Sequence, residues 1–264
     1  MIQMLVPTED LVMERTLRRD PAHPSRTHFS PSHAPGIYLF FKTVADCFSA
    51  LCLLLLFSPV ILLAAVLVKI TSRGPAFFTQ TRVGLGGRIF TIYKLRTMRH
   101  NCEQQSGPKW STSGDIRITP VGRMLRRTHL DELPQLWNVL RGEMSLIGPR
   151  PERPEFVEVL ADALPHYRDR VLVKPGMTGL AQVQLPPDAD LASVRRKLAC
   201  DLYYLHHVSL LLDLKIFCGT AFYLAGIPFA LTRALFKMPS GEKVESVYRA
   251  MGPSKKVASQ LQTA

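Results

Sequence analysis

Between Cys47 and Val68 the chain runs for 22 residues without a charged side chain. As a helix, that stretch would cover about 33 Å, enough to cross the hydrocarbon core of a bilayer. Hydrocarbon leaves no partner for free backbone polar groups, so a helix is the form open to a lone segment of this kind. Ser58-Pro59 interrupts it near the middle. Proline lacks an N–H and crowds the carbonyl four residues back, on Leu55, so a bend is expected there. The Ser58 hydroxyl can supply the bond that the freed carbonyl loses. A bent helix can span the bilayer or enter and return on one face, and the residues leave both open. Lys69, Arg73, Arg82 and Arg88 follow directly, which places that flank in the cytoplasm. The other flank carries only Lys42, offset by Asp46, and is ambiguous.

The charge is concentrated next to this segment. From Lys69 to Leu130 there are twelve Lys or Arg residues and two acids, Glu103 and Asp115, against a formal net charge of +12 for the whole chain. A basic field of this kind draws anions. Trp110 and Trp137 stand apart, and no basic run is interleaved with aromatics, so nucleic acid is not the expected partner. With 47% apolar residues, membrane contact is expected to be local. The five cysteines show no metal-ligand spacing, and a reducing cytoplasmic setting fits them. Residues 1–36 contain no apolar h-region, so no cleavable signal peptide is expected.

The remaining pattern predicts an α+β, helix-dominated chain. Residues 1–36 are polar and proline-rich and read as a flexible tail, with tail histidines at His23, His28 and His33. The kinked apolar helix occupies 37–70, a catalytic domain 71–236 and a polar tail 237–264. Ala76–Thr81 and Arg88–Leu95 flank Gly84-Leu85-Gly86-Gly87 and predict a small β-hairpin. Helices are expected over Val121–Arg127, Asp131 to about Leu140, Pro154–Leu164, Leu191–Tyr204 and Ser209 to about Leu224. The apolar run Ile216–Thr232 is broken by Gly219, Gly226 and Pro228, which suits a core or interfacial helix better than a spanning one.

Asp131-Glu132 is the candidate centre of chemistry. Proline is tolerated in the first helical turn, so Pro134 predicts a helix capped by Leu130, with the two acids as its first residues. There the free N–H groups and the helix dipole favour carboxylates and phosphate alike. Adjacent helical residues point about 100° apart, so one acid can be a nucleophile while the other holds a metal. Plain helix capping by acids is the competing reading of these two residues alone. Arg126 precedes the pair, Arg150 sits between Pro149 and Pro151, and Lys94 and Arg96 end the second hairpin strand, two apart and so on one face. These are the cations of a phosphate clamp, to which Mg²⁺ would add charge.

Seven motifs in order make a resemblance. They are Phe57-Ser58-Pro59, Thr79-Gln80-Thr81-Arg82-Val83-Gly84, Tyr93-Lys94-Leu95-Arg96-Thr97-Met98, Leu130-Asp131-Glu132-Leu133-Pro134-Gln135-Leu136, Gly148-Pro149-Arg150-Pro151, Lys174-Pro175-Gly176-Met177-Thr178-Gly179 and Asp201-Leu202-Tyr203-Tyr204. From about Phe41 to Leu224 the chain resembles the bacterial sugar transferases, the monotopic phosphoglycosyl transferases. The resemblance implies transfer of a sugar 1-phosphate from a UDP-sugar to polyprenyl (undecaprenyl) phosphate with release of UMP. That step begins exopolysaccharide, O-antigen or capsule assembly. It implies Asp131 as the nucleophile forming a covalent phosphosugar, Glu132 as a Mg²⁺ ligand, and a helix that re-enters at Ser58-Pro59. Lys94, Arg96, Arg126, Arg150 and Asp201 are the substrate-binding candidates. The expected location is the cytoplasmic face of the bacterial inner membrane. His129 stands where the family often has a small hydroxyl residue and takes no role. Another membrane-associated phosphate-transfer enzyme, or a non-catalytic basic anchor on anionic lipid, are the rival readings. The sugar and the oligomeric state are not legible.

Overall fold

The computed structural model describes residues 36–102, 114–186 and 190–252. The expected N-terminal tail and the last residues of the C-terminal one lie outside these. Helix α1 runs from Gly36 to Thr71 with Pro59 inside it. Ser58 Oγ donates to the Leu55 carbonyl at 2.8 Å, the acceptor that Pro59 has no N–H to serve. The hydroxyl thus replaces the bond that proline removes.

Only four α1 residues are buried, Ala50, Ala64, Ala65 and Val68, and all are small. Small side chains let a helix approach a neighbour closely, and each half of α1 uses them against the same domain. Ala50 packs with Phe90, Ile92, Leu136, Val139 and Met144. Ala64, Ala65 and Val68 pack with Leu95 and Leu125. Between the two contacts Leu55, Leu56, Leu62 and Leu63 are exposed, each above 60%. That outward apolar middle is what a bilayer would cover.

Strands β1 (Phe77–Val83) and β2 (Ile89–Leu95) form the expected antiparallel hairpin, with Phe77 opposite Leu95 and Val83 opposite Ile89. Helix α2 (Pro120–Thr128) is capped by Thr119, whose hydroxyl accepts from Gly122 N. Gly122 is required by close approach, because a Cβ there would lie 2.0 Å from the Thr97 carbonyl. A 3₁₀ turn, Leu130–Gln135, leads into α3 (Leu136–Leu140). Two short parallel strands follow, β3 (Ser145–Ile147) and β4 (Gly176–Thr178), with α4 (Pro154–Ala163) and a 3₁₀ turn (Tyr167–Leu172) between them.

The main core forms around α6 (Leu191–His206), which follows α5 (Leu180–Gln184) and is closed by a capping box between Asp190 and Ser193. Ten of its residues are buried, Leu202 completely. Each large apolar side chain so buried contributes about 1.5–3 kcal/mol. Helix α7 (Leu210–Leu224) turns Leu212, Ile216 and Gly219 inward and leaves Leu210, Leu211, Leu214, Phe217 and Leu224 more than half exposed. This one-sided apolar exposure is the pattern that an interfacial helix would show. After α8 (Phe229–Phe236), the polar tail expected from Lys237 gives way to a helix, α9 (Gly241–Ala250). Val244 and Tyr248 are buried against the core, and Arg195 reaches Glu245 at 2.5 Å and lies over the Tyr248 ring. The apolar residues of this segment are few but fall four apart, on one helical face.

Candidate active site

The acidic pair sits on the 3₁₀ turn, not at the start of an α-helix. His129, in the left-handed region at φ 55°, is the cap, and Leu130 is the first residue of the turn. The sequence expectation placed Leu130 as the cap. The difference arises because α2 ends at Thr128 and the chain must reverse within one residue. A non-glycine residue at such a φ stores strain of about 1–3 kcal/mol, held here next to the acids. Pro134 then falls in the turn, where its missing N–H is tolerated.

Glu132 is gripped from two sides. Lys94 Nζ donates to its Oε1 at 2.7 Å, and Arg150 Nη1 donates to its Oε2 at 3.1 Å. Arg150 Nη2 also bonds Oε1, making the contact bidentate. Burial would raise the Glu132 pKa, but Arg150 and Lys94 hold it well below the usual carboxylate range. Glu132 in turn pushes the Arg150 guanidinium up. Asp131 is buried, 7% exposed, and its carboxylate makes no side-chain hydrogen bond or ion pair among the described residues. Burial raises its pKa, the Glu132 charge adds to this, and Lys94, Arg126 and Arg150 oppose it. Two neighbouring carboxylates are thereby driven apart. One is a fixed anion, and the other is a desolvated, unpaired and more basic oxygen.

Arg150 is positioned by backbone crowding. A Cβ at Gly148, Gly176 or Gly179 would fall within 2.1–2.5 Å of backbone on the facing segment, so the loops carrying Gly148-Pro149-Arg150-Pro151 and Lys174-Pro175-Gly176 meet only as glycines. Gly176 N donates to Pro149 O at 2.9 Å. From the hairpin, Arg82 Nη1 donates to Pro151 O at 3.0 Å, and burial lowers its pKa to about 10.

Lys94, Asp131, Glu132 and Arg150 therefore come together as one cluster, with Arg126 acting on Asp131 through its charge while its Nε bonds Thr97 Oγ1 at 2.8 Å. Two candidates do not join them. Arg96 lies beyond the end of β2, where strand alternation no longer holds, and its Nη2 donates to Ser72 O at 2.8 Å and Ser72 Oγ at 2.7 Å. It satisfies the C-terminal end of α1, where carbonyls lack helical partners. Asp201 is buried in α6 and accepts from Arg170 Nε at 2.7 Å. Arg170 Nη2 donates to the Arg150 carbonyl at 2.9 Å, so Asp201 supports the Arg150 loop from behind.

Three features escaped the sequence reading. Arg170 is one. His129 is another, and its ring lies 5.4 Å from that of Tyr223. The third is a polar seam holding the N-terminal half of α1. Tyr38 and Lys42 donate to Asp213 at 2.6 and 2.7 Å, Tyr204 donates to the same carboxylate at 2.7 Å, and Ser145 donates to Asp46 at 2.6 Å. The i, i+4 spacing of Tyr38, Lys42 and Asp46 was the available signal. Turned inward, Lys42 and Asp46 are poor reporters of membrane side.

A divalent cation fits this donor set. Mg²⁺ is commonly held by one or two carboxylates together with substrate phosphates. The Asp131 oxygens are uncommitted, and Glu132 Oε2 accepts only one bond. No group of three or more potential metal-ligating side chains exists among the described residues.

Two carboxylates of opposed pKa beside Lys94 and Arg150, carried next to a helix long and apolar enough to cross a membrane, make up the candidate site. The chain belongs to the bacterial sugar transferase family, whose profile matches residues 37–226. It is similar to a UDP-glucose:undecaprenyl-phosphate glucose-1-phosphate transferase of Caulobacter vibrioides, 46% identical over 183 residues, covering 68% of this chain and 67% of that protein. A UDP-N-acetylgalactosamine-undecaprenyl-phosphate N-acetylgalactosaminephosphotransferase of Aeromonas hydrophila is 47% identical over 180 residues, covering 68% of this chain but 42% of the relative. An exopolysaccharide production protein of Rhizobium leguminosarum is 41% identical over 187 residues, 69% of this chain and 94% of the relative.

Proposed function

We propose that this protein transfers a sugar 1-phosphate from a UDP-sugar to polyprenyl phosphate, releasing UMP, as the first step of a surface glycan. The observation that carries this reading is the unpaired, buried Asp131 carboxylate beside the Glu132–Lys94–Arg150 clamp. The ionised Asp131 oxygen attacks the β-phosphorus of the UDP-sugar. The bond from that phosphorus to the bridging oxygen breaks, and UMP leaves with the electron pair. An oxygen of the lipid phosphate then attacks the aspartyl phosphosugar, the acyl phosphate bond breaks, and Asp131 is regenerated. Glu132 holds Lys94 and Arg150 together, which supports their role as a pre-organised clamp for the diphosphate. Glu132 would hold Mg²⁺, which when bound offsets charge on the diphosphate. UMP release measured in detergent with polyprenyl phosphate and a panel of UDP-sugars tests the reaction. No release with any member would reject it.

Arg150→Lys keeps the charge and loses the fork. It is expected to cost about 1–3 kcal/mol in kcat/KM, the scale of one charged hydrogen bond. An unchanged kcat/KM would make Arg150 purely structural.

Both ends of α1 are tied to one domain, Lys42 to Asp213 and Ser72 to Arg96, which supports a helix that enters and leaves on the same, cytoplasmic, face. Cysteines at Ser25 and Arg73, in a background without native cysteines, should both resist a membrane-impermeant thiol reagent in intact cells and label after permeabilisation. In Ser58→Ala/Pro59→Ala, position 25 should become partly labelled from outside, since an unbroken helix of this length can span. External labelling of position 25 without those changes would refute the re-entrant topology.

A further inference from the structure

Gln135 ends the turn that carries the acidic pair. It is 1% exposed, and its Nε2 is buried without a hydrogen-bond partner among the described residues. A buried amide N–H left this way gives up its hydration for nothing, and such groups are rare in folded proteins. The next buried amide along the chain shows what packing can supply. Asn138 accepts from Tyr93 N at 3.2 Å and donates to Thr91 O and Glu143 Oε2, both at 2.7 Å. The Gln135 Nε2 has no counterpart to these bonds in the resting fold.

Asp131 lies four residues back on the same turn. Asp131, Pro134 and Gln135 are the buried residues of that turn. Gln135 is in right-handed helical geometry, at φ −64° and ψ −19°, and leads directly into α3. Residues four apart on a helix bring their Cβ atoms to about 5–6 Å, a spacing at which glutamine and aspartate side chains hydrogen-bond. The cations that bear on Asp131 are engaged elsewhere, Lys94 and Arg150 with Glu132 and Arg126 with Thr97. One turn therefore buries an unused donor and an unused acceptor at a spacing that their side chains can close.

We propose that Gln135 is a positioning residue for the nucleophile: as the UDP-sugar binds, its Nε2 donates to one Asp131 oxygen and aims the other at the β-phosphorus. The inference rests on the proposed function for the role of Asp131. The amide itself makes and breaks no covalent bond. One Asp131 oxygen bonds phosphorus as UMP leaves, and the hydrogen-bonded oxygen becomes the carbonyl of the acyl phosphate. When the lipid phosphate attacks, the same hydrogen bond meets the negative charge that returns to the carboxylate. Fixing the carboxylate removes rotations that would point its oxygen away from phosphorus.

The test is Gln135→Met, which keeps the length of the side chain, alongside Gln135→Leu, which fills the space with a different shape. Because the amide is unpaired in the resting protein, the Tm of both should be unchanged or higher. In both, kcat should fall about 10- to 100-fold, the scale of one hydrogen bond to a charged group. The KM for each substrate should hold, since the amide touches neither. Rapid quench with UDP-sugar and no lipid, read by intact-protein mass spectrometry, should show the aspartyl phosphosugar forming more slowly by a similar factor. Unaltered kcat and adduct formation in either folded variant would overturn the proposal. So would failure of both to fold, or a lower Tm in both, because the amide would then already be satisfied in the resting protein. These results leave the reaction itself standing. Absence of any adduct in the unaltered protein would instead reject Asp131 as nucleophile, and the positioning role with it.

Discussion

Asp131→Asn is expected to abolish turnover and, at the same time, make the protein more stable. Loss of a nucleophile of this kind lowers kcat on the order of 10⁴- to 10⁶-fold. The aspartyl phosphosugar, seen by intact-protein mass spectrometry with UDP-sugar and no lipid, should disappear. The stability gain follows from linkage. Burial and the Glu132 charge raise the Asp131 pKa in the folded state above its ordinary value of 3.8. The folded protein then binds the proton more tightly than the unfolded chain, so ionising Asp131 destabilises the fold at every pH above both values. An amide removes that cost. Tm at neutral pH should rise, by about 2–4 °C for each kcal/mol released. The same raised pKa sets the acid limb of kcat/KM above 3.8, with activity lost as pH falls and Asp131 is protonated. Wild-type-like turnover in the Asn variant would remove Asp131 from the mechanism, and an unchanged or lower Tm would show that its burial carries no penalty.

Glu132→Gln should act in the opposite direction on stability while also removing activity. The substitution leaves Lys94 and Arg150 without their anion. Breaking a fully buried pair costs about 3–5 kcal/mol, and the partial exposure of Arg150 brings the expectation down to about 2–3 kcal/mol. Here the sign of linkage reverses. The folded-state pKa of Glu132 is held well below 4.5, so its contribution is fully present above 4.5 and is lost as pH falls through the folded value. Denaturant melts of the unaltered protein should lose stability over that acidic window, and the Gln variant should lack this component. With a metal shared between enzyme and substrate, chelation should stop turnover, Mg²⁺ should restore it, and Glu132→Gln should need more. Undiminished turnover in excess chelator would rule out the metal.

Much of this site was legible before the fold was known, because its parts are local. Pro149 and Pro151 announce a stiff loop for Arg150, and alternation along β2 gives Lys94 a defined face. Ser58-Pro59 marks the carbonyl that needs a substitute donor, whereas Pro134 falls in a 3₁₀ turn and not in the first turn of an α-helix. What failed was local reasoning carried one residue too far. Arg96 was assigned to the face of Lys94 on strand alternation, yet β2 ends at Leu95 and the open carbonyls of α1 claim the guanidinium. The α9 helix was missed because a short amphipathic segment with few apolar residues looks like a tail until α6 is there to receive it.

The chemistry of the groups is written along the chain: an acidic pair, a set of arginines and lysines, and an apolar helix with a built-in break. Which cations meet which acid depends on how the chain packs. Lys94 and Arg150 lie 38 and 18 residues from Glu132, and their pairing depends on β2 and the β3–β4 loops converging on one turn. The same convergence buries Asp131 and separates its pKa from that of its neighbour. Burial and long-range charge are properties of a packed arrangement, and no spacing along the chain encodes them.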